Sequence, residues 1–387
     1  MSADRIVVAG ALANKPGNGG AAWTRLSWAL GFRQLGYDVE FVEQILPSTC
    51  VDSSGGRCGV DHSVNLSYFQ EVTQQFGLNA TLIIEEEGRT IGRSSDELND
   101  IAAAADMLVN ISGHLTVAPL KDRFHTRVFI DLDPGYTQYW HTQGLARDRL
   151  RDHHVYYSVG ENIGQPFCEI PTAGVQWRPV RQPVVLDEWP MAPSPGSHTR
   201  FTTVASWRGP LGRITHNDTI FGVKAHEFRK FASLASVSEH IFEIALDADP
   251  ADQRDVAQLR EHGWKVVDPR HVVPDPRAFR HYVQQSSAEF SVAQGIYVDT
   301  RSGWFSDRTV RYLASGKPAL VQDTGWSRHY PSGCGLIGFR TLDEAVDGAD
   351  RIAQSYSEHS RAARAIAEEF FDARKVLARL VQAVGRN

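Results

Sequence analysis

The stretch IVVAGALANKPGNGGAAWTRLSWALGFRQLGYDVEFV (residues 6–42) indicates the fold by the order of its elements. Residues 6–9 are an apolar run typical of a buried strand, and the turn-forming segment NKPGNGG follows. Apolar side chains then recur at helical spacing over residues 21–35, Gly36 ends that helix, and residues 39–42 are a second apolar run. A strand, a helix and a second strand predict a βαβ unit, which builds parallel sheets covered by helices.

The alternation of strand-like and helical runs continues along the chain and is interrupted once. Residues 186–198 (LDEWPMAPSPGSH) contain three prolines, so this segment can sustain neither a helix nor a strand ladder and is the best linker in the chain. A second alternation begins at residues 201–206. The sequence therefore predicts an α/β protein of two doubly wound, Rossmann-like domains, with bounds 1–185 and 199–361.

Composition excludes several classes of protein. The chain has 387 residues, 42% hydrophobic and 22% charged, which fits two large globular domains. A formal charge of −6 gives no general positive field to hold a nucleic acid. No stretch approaches the roughly 20 apolar residues of a membrane span, and the N-terminus lacks a secretory pattern, so a cytoplasmic protein is expected. Four scattered cysteines form neither a disulfide framework nor a CxxC pair.

Residues 302–325 (SGWFSDRTVRYLASGKPALVQDTG) have the composition of an anion-binding segment. A Gly/Ser-rich loop leads into a short helix, whose first backbone N–H groups have no partner inside the helix. Ser306 or Asp307 can cap this helix, and Arg308 stands inside its first turn, where a guanidinium can bind a diphosphate with two hydrogen bonds. The alternative is an ordinary capped helix with a solvated arginine.

Two motifs resemble a known family. RYLASGKPALVQDTG (residues 311–325) looks like the donor-site helix of the group 1 glycosyltransferases of GT-B fold, and NGGAAWTRLSWALGFRQLGYDVEFVEQ (residues 18–44) resembles their N-terminal signature. The resemblance implies that the two domains face each other across a cleft, with the acceptor on domain 1–185 and the nucleotide-sugar on domain 199–361. It also implies that the linker 186–198 allows closure and that a last helix in residues 362–387 packs back on the N-terminal domain.

The chain departs from the pattern of that family at two positions. Retaining members carry two glutamates that flank the donor, and the corresponding positions here are Gly303 and Arg311. The nearest carboxylate is Asp307, which we assign the role of hydrogen-bonding donor hydroxyl groups. Retention of stereochemistry is therefore only weakly favoured.

Three residues at the ends of N-terminal-domain strands are candidate catalytic groups. Asp131 and Asp133 follow a strand in VFIDLDPG, and either one can accept the proton of an acceptor hydroxyl or simply cap the turn at Pro134. His114 ends another strand, and the resemblance implies contact with the donor sugar, although a lone histidine is more often structural. Asp131 and Asp133 look superficially like a metal-binding pair, but we interpret them as acceptor-side residues and predict no metal or other cofactor.

Donor binding requires cations for the diphosphate and a surface for the base. Arginines near the strand ends of domain 199–361 are the candidate cations. In VVDPRHVVPDP (residues 266–276), the loop 268–274 is the base site that the resemblance implies, and a rigid connector is the alternative. The first glycine turn matches a dinucleotide fingerprint poorly, because Trp23 stands where a small residue is needed, so a dehydrogenase is disfavoured. The predicted donor-binding residues are Arg208, His271, Val272, Arg301, Ser302, Gly303, Ser306, Asp307 and Arg308, and the predicted acceptor or phosphate loop contains Gly19 and Gly20.

The sequence thus predicts a metal-independent glycosyltransferase that moves a sugar from a nucleotide diphosphate to an acceptor. The aromatic cluster Tyr136, Tyr139 and Trp140 and an arginine-rich composition favour a bacterial enzyme with a small, natural-product acceptor over a polymer. Two alternatives stay open: a sugar-nucleotide epimerase or hydrolase, and a catalytically silent GT-B partner subunit.

Overall fold

A computed structural model describes residues 4–145, 147–193, 199–209 and 211–385. Its strands fall into two large sheets and one hairpin, and helices cover both sheets. The strands are β1 (Arg5–Ala9), β2 (Asp38–Ile45), β3 (Asn79–Ile84), β4 (Arg89–Ile91), β5 (Met107–Ile111), β6 (Arg127–Asp131), β7 (Val155–Ser158), β8 (Trp177–Pro179), β9 (Arg200–Ser206), β10 (Ile214–His216), β11 (Thr219–Phe221), β12 (Ile241–Asp247), β13 (Lys265–Val267), β14 (Ala288–Ser291), β15 (Ala319–Gln322) and β16 (Leu336–Phe339). The helices are α1 (Gly19–Gln34), α2 (Val64–Gln75), α3 (Ser95–Ala104), α4 (Ala118–Lys121), α5 (Tyr136–Thr142), α6 (Arg147–Leu150), α7 (Lys224–Arg229), α8 (Leu234–Val237), α9 (Gln253–Glu261), α10 (Pro269–Val272), α11 (Pro276–Gln284), α12 (Gly295–Asp299), α13 (Asp307–Ala314), α14 (Leu342–Gln354), α15 (Tyr356–Ile366) and α16 (Ala373–Val384).

The first sheet has eight strands in the order β4-β3-β2-β1-β5-β6-β7-β8. All neighbours are parallel except β3 and β4, which form an antiparallel edge. β1 lies in the middle, with Ile6 opposite Val39 of β2 and Met107 of β5. The predicted βαβ unit is confirmed: the Asn18 side chain accepts a hydrogen bond from Ala21 N and caps α1, and Gly36 ends the connection with a φ of +92°.

The second sheet has six parallel strands in the order β13-β12-β9-β14-β15-β16. The fold class of two Rossmann-like sheets is thereby confirmed. Between β9 and β12 the chain forms a separate, unpredicted hairpin, β10–β11, whose turn residues Asn217 and Asp218 both have positive φ. After the hairpin the chain forms two short helices, α7 and α8.

One hydrophobic cluster contains residues of both halves, and a second cluster lies entirely within residues 201–352. The first cluster contains Trp23 of α1, Phe279 of α11 and Trp189, whose ring lies 5.0 Å from Trp23 and 6.3 Å from Phe279. Trp189 belongs to the predicted linker, of which residues 194–198 lie outside the described residues; its first part is packed, with a 3₁₀ turn at Leu186–Glu188. The linker segment up to Trp189 is therefore fixed by burial.

The last helix, α16, packs against α1. A methyl group added at Gly31 of α1 would lie 2.5 Å from Leu377 and 2.9 Å from Ala373, so the two helices touch at the backbone. Residues 362–384 do not form one helix: α15 runs into a π-helical turn at Ala367–Phe371, and α16 begins after Asp372. Asp372 caps α16 by accepting a hydrogen bond from Arg374 N.

Candidate active site between the two sheets

A cavity of about 470 Å³ lies where the carboxyl ends of the two parallel sheets face each other. Ligands of doubly wound sheets bind at this edge, because the loops and helix N-termini converge there. From the first half the cavity is lined by Lys15, Pro16, Gly17, Asn18, Gly20, Ala21, Thr24, Arg25, Leu132, Asp133 and Gln182, and from the second half by Val204, Ala205, Ser206, Asp247, Pro269, Arg270, Val273, Phe279, Trp304, Asp307 and Arg308.

The start of α1 touches the second half directly. Gly19 N donates to Val273 O at 3.2 Å, and Trp23 Nε1 donates to Pro276 O at 2.7 Å. A methyl group added at Gly19 would lie 2.1 Å from Asp275 O. Gly19, predicted to let the backbone approach a phosphate, therefore lets α1 approach α11; Gly20 does line the cavity.

Asp307 connects the two halves at the cavity wall. Its Oδ2 accepts hydrogen bonds from Thr24 Oγ1 and from Arg311 NH1, both at 2.6 Å. Burial raises the pKa of Asp307, but Arg311 and these hydrogen bonds together lower it below its ordinary value. Asp307 is thus a charged acceptor in the cavity wall, and Arg311 holds it in place.

Arg308 lines the cavity, but most of its hydrogen-bonding capacity is used within the protein. Its Nε donates to Glu289 Oε1 at 2.6 Å, its NH1 to Val204 O at 2.7 Å and its NH2 to Ser291 Oγ at 2.8 Å. Glu289 is completely buried. The expectation that Arg308 binds a diphosphate with two hydrogen bonds is not supported, because each nitrogen of its guanidinium already donates to a protein acceptor.

Among the cations that line the cavity, Lys15 and Arg25 have no anionic partner in the described ranges, and neither was a candidate from the sequence. Neither Lys15 nor Arg25 forms an ion pair within the described part of the chain, and the buried Arg25 Nε has no hydrogen-bond acceptor. The nearby charge of Arg25, together with burial, lowers the pKa of Lys15 to about 8. Burial also lowers the pKa of Arg25, and Asp133 and Asp307 oppose this shift. A pair of confined, unpaired cations in a cavity is suited to an anionic ligand.

The loop that carries Lys15 is held by Glu43 at the end of β2. The Glu43 carboxylate accepts hydrogen bonds from Leu12 N at 2.7 Å, Ala13 N at 2.8 Å, and both the backbone N and side-chain Nδ2 of Asn14 at 2.8 Å. These bonds fix the backbone immediately before Lys15 and so limit the positions its ammonium group can reach.

The two aspartates of VFIDLDPG occupy different environments. Asp133 lines the cavity, accepts a hydrogen bond from Tyr297 OH at 3.3 Å, and has a pKa raised by burial, which Lys15 and Arg25 partly oppose. Asp131 is fully buried, and its carboxylate accepts from Thr137, Gln138 and Ser158. The structure therefore leaves Asp133 as the candidate base and gives Asp131 a structural position instead of the predicted catalytic one.

His114 lies behind the cavity wall and does not line it. Burial and the cations Arg25, Arg149 and Lys15 lower its pKa to about 3, so the imidazole is neutral at pH 7. It sits among the same cations that face the cavity.

Several predicted donor-site residues lie elsewhere. Arg208 pairs with Asp252 at 2.8 Å on the surface, and Arg301 faces a different pocket. Three residues have partners within the protein: Ser302 Oγ donates to Tyr297 O at 3.1 Å, Gly303 packs against Asn162 of the first half, and Ser306 caps α13 by accepting from Arg308 N at 3.2 Å. Of these predictions, the cap at Ser306 is confirmed.

The predicted base-binding loop forms the short helix α10 rather than an open loop. His271 is exposed and does not line the cavity, and Val272 packs against the main core. Their neighbours Pro269, Arg270 and Val273 line the cavity instead. A helical turn directs successive side chains differently from an extended loop, so His271 and Val272 point away from the cavity that their neighbours line.

Sequence reasoning also missed Lys224 at the start of α7. Its Nζ donates to Val292 O at 2.5 Å, and burial together with Arg308 lowers its pKa to about 7. For Lys15 a signal existed, since a lysine beside a glycine turn after a first strand is well placed for an anion. For Arg25 and Thr24 the signal is tertiary, since each becomes notable only when the second half is placed against the first, and for Lys224 it is burial within the second half.

Within residues 4–145, 147–193, 199–209 and 211–385, no group of three or more His, Cys, Asp or Glu side chains is placed to hold a metal ion. Among the helices of these same ranges, none combines the length and apolarity needed to cross a bilayer.

The chain resembles known proteins in structure over almost its whole length. No protein-family model and no curated protein matches it. Among solved structures, HepE of Anabaena in complex with UDP-glucose superimposes with a TM-score of 0.60 at 12% identity, over 99% of this chain and 100% of that one. AviGT4, a glycosyltransferase involved in avilamycin A biosynthesis, gives 0.56 at 13% identity over 99% and 97%. A putative UDP-N-acetylglucosamine 2-epimerase from Listeria monocytogenes gives 0.51 at 10% identity over 100% and 98%. At identities this low, the superpositions establish likeness of fold alone. The fold expected from the two sequence motifs is confirmed: this chain has the GT-B fold.

Proposed function

We propose that the chain is a glycosyltransferase that moves a sugar from a nucleotide diphosphate to an acceptor bound in the same cavity. The observation that carries this proposal is the combination of the unpaired cations Lys15 and Arg25 with the carboxylate of Asp133 in one cavity between two facing sheets. Among proteins of similar fold, HepE was solved with UDP-glucose, which supports a nucleotide-sugar as donor.

Lys15 and Arg25 neutralise the diphosphate of the donor. When the bond between the sugar and the diphosphate breaks, negative charge develops on the leaving oxygen, and confined cations stabilise it more than solvated ones do. The exposed residues Gly17 and Asn18 and the polar Ser206 also line the cavity. No divalent ion is required in this proposal, since the two side-chain cations balance the charge.

Asp133 acts as the base. Its carboxylate takes the proton of the acceptor hydroxyl as the acceptor oxygen forms a bond to the anomeric carbon, and the bond from that carbon to the diphosphate oxygen breaks. A carboxylate with a raised pKa suits this role, since a base is most effective when its pKa approaches the working pH. Asp307, with Oδ2 committed to Thr24 and Arg311, keeps Oδ1 for a donor hydroxyl.

The acceptor we propose is a small hydroxyl-bearing molecule. Tyr136 and Tyr139, predicted to wall its site, are buried packing residues, but Trp304 lines the cavity and stacks on Tyr297 at 4.6 Å between ring centroids. An aromatic wall suits the apolar face of a small molecule. AviGT4, a glycosyltransferase of similar fold, is involved in avilamycin A biosynthesis, and this likeness supports a natural-product acceptor.

A panel of nucleoside diphosphates tests the donor site. We expect the melting temperature to rise with one of UDP, GDP, ADP and dTDP, and the rise to persist in EDTA. Lys15→Gln should remove most of it, whereas Lys265→Gln, a change at an exposed lysine of β13, should leave it intact. A rise that requires added Mg²⁺ would contradict the metal-independent site, and a flat response to all four would favour a catalytically silent scaffold.

One alternative reaction keeps the same cavity. The putative epimerase of similar fold makes an epimerase or hydrolase of a sugar-nucleotide a second candidate. Incubation with UDP-glucose and no acceptor separates the reactions: a transferase leaves the donor essentially intact until an acceptor is added. Rapid formation of UDP, glucose or an epimer without acceptor would replace the transferase proposal.

A further inference from the structure

A second cavity, of about 440 Å³, lies at the carboxyl edge of the second sheet, outside the proposed active site. It is formed by the ends of β15 and β16, the end of α7, and the segment after α12. Four side-chain cations line it: Lys230, Arg301, Arg328 and Arg340. We call these residues the basic pocket.

The carboxylates that line the basic pocket are already used by the protein. Asp323 accepts hydrogen bonds from Gly325 N at 2.8 Å, from Ser327 Oγ at 2.9 Å and from Arg340 NH2 at 2.6 Å. Glu227 accepts from Lys230 Nζ at 2.7 Å and from Gln322 Nε2 at 2.8 Å. Both carboxylates are buried behind the cations, so they supply two negative charges against four positive ones.

The remaining two cations have no anionic partner. Within the described residues, the side chain of Arg301 has neither an ion pair nor a hydrogen bond, and Arg328 has only a cation–π contact, with its guanidinium carbon 4.2 Å from the ring centroid of Phe167. Both side chains are exposed, and side-chain contacts hold Arg328 as well as Arg340 of the basic pocket. Phe167 supports Arg328, and Asp323 anchors Arg340.

Arg301 is fixed through its backbone. Its φ is +51°, a left-handed conformation that a residue other than glycine adopts at a cost, and its carbonyl oxygen accepts from Asn162 Nδ2 at 2.8 Å. Asn162 is itself completely buried. The fold therefore maintains a strained backbone at the position that brings this guanidinium to the basic pocket.

We propose that the basic pocket binds a small oligoanion, a molecule with two or more phosphate or carboxylate groups, separate from the nucleotide in the active site. Arginine forks bind both groups through paired hydrogen bonds, and cations held in advance lose little freedom when the ligand binds. Arg301 lines the basic pocket and Trp304, three residues later, lines the active-site cavity, so the two sites share one segment of the chain.

Binding of pyrophosphate and of citrate to the full chain, measured by calorimetry, tests this proposal. Saturating UDP is present, so that the active site is occupied. We expect at least one of the two anions to bind, and the double variant Arg301→Gln with Arg328→Gln to weaken that binding by about tenfold or more, which corresponds to about 1.4 kcal/mol. The control is Arg254→Gln, an exposed arginine of α9 away from both cavities.

Two further measurements keep the result independent of the proposed function. The melting temperature of each variant without ligand reports folding, and the active-site variant Lys15→Gln should leave anion binding in the basic pocket unchanged. The proposal is overturned if neither anion binds, if the double variant binds as the wild-type chain does, or if Lys15→Gln rather than the double variant removes binding. If UDP itself fails to bind, the comparison of the two variants still decides the site.

Discussion

At the scale of single residues, the most informative group is Lys15, whose pKa is lowered to about 8. Below that pH the ammonium group is charged and attracts a diphosphate; above it the charge is lost. We expect the affinity for UDP to fall by up to about tenfold for each pH unit above 8, since one proton must then be taken up on binding. Lys15→Arg should abolish this dependence, because a guanidinium stays charged. Calorimetric titrations between pH 7 and 10 measure it, with Lys265→Arg as control.

Asp133 gives a second prediction at this scale. Asp133→Asn should lower kcat by about 10²- to 10⁴-fold, the usual contribution of a general base, while UDP binding is retained. Because the pKa of Asp133 is raised, the wild-type kcat/KM should fall on acidification through a pKa above the ordinary aspartate value. Asp100→Asn, at an exposed carboxylate of α3, should have no effect. Full kcat in Asp133→Asn would show that the proton goes elsewhere.

At the scale of elements, the contact between α1 and α11 depends on Gly19. Gly19→Ala places a methyl group 2.1 Å from Asp275 O, so the helices must separate. We expect a loss of about 1–3 kcal/mol in the free energy of unfolding, as for other overpacked sites, and weaker UDP binding, because Thr24 then moves away from Asp307. Denaturant unfolding measures the first effect. Gly59→Ala is the matched control, since its added methyl group meets no atom within 4 Å.

At the scale of the whole molecule, the two halves should unfold together. One hydrophobic cluster joins Trp23 and Leu377 with Val283 and Leu313, so each half exposes buried apolar surface when the other unfolds. Scanning calorimetry should give a single transition with equal calorimetric and van 't Hoff enthalpies. Two resolved transitions would contradict a shared core.

Much of the fold followed from local patterns. The first βαβ unit, the second alternation and helix α13 at Asp307–Ala314 agree with the sequence analysis, because apolar periodicity, caps and glycine stops are recorded in consecutive residues. The hairpin β10–β11 was missed: each strand has only three residues, too few for a period to be recognised.

The candidate site was only partly predictable. Asp133, Asp307, Arg308 and Gly20 were selected and do line the cavity. Arg208 and Arg301 were selected for their place after a strand, but Arg208 pairs with Asp252 and Arg301 lines another pocket. A strand end determines where a backbone arrives; where a long side chain points depends on the acceptors around it.

The sequence by itself determined that this chain builds two parallel sheets with ligand-binding ends, because strand and helix periods and turn residues act over a few neighbours. Tertiary structure alone decided which charges meet there. Lys15 and Arg25 lie unpaired in the cavity while Arg308 is satisfied by Glu289, and that distinction arises from burial and from partners distant in the chain. The energy of a charge depends on its surroundings in space, and those surroundings exist only after the two sheets have come together.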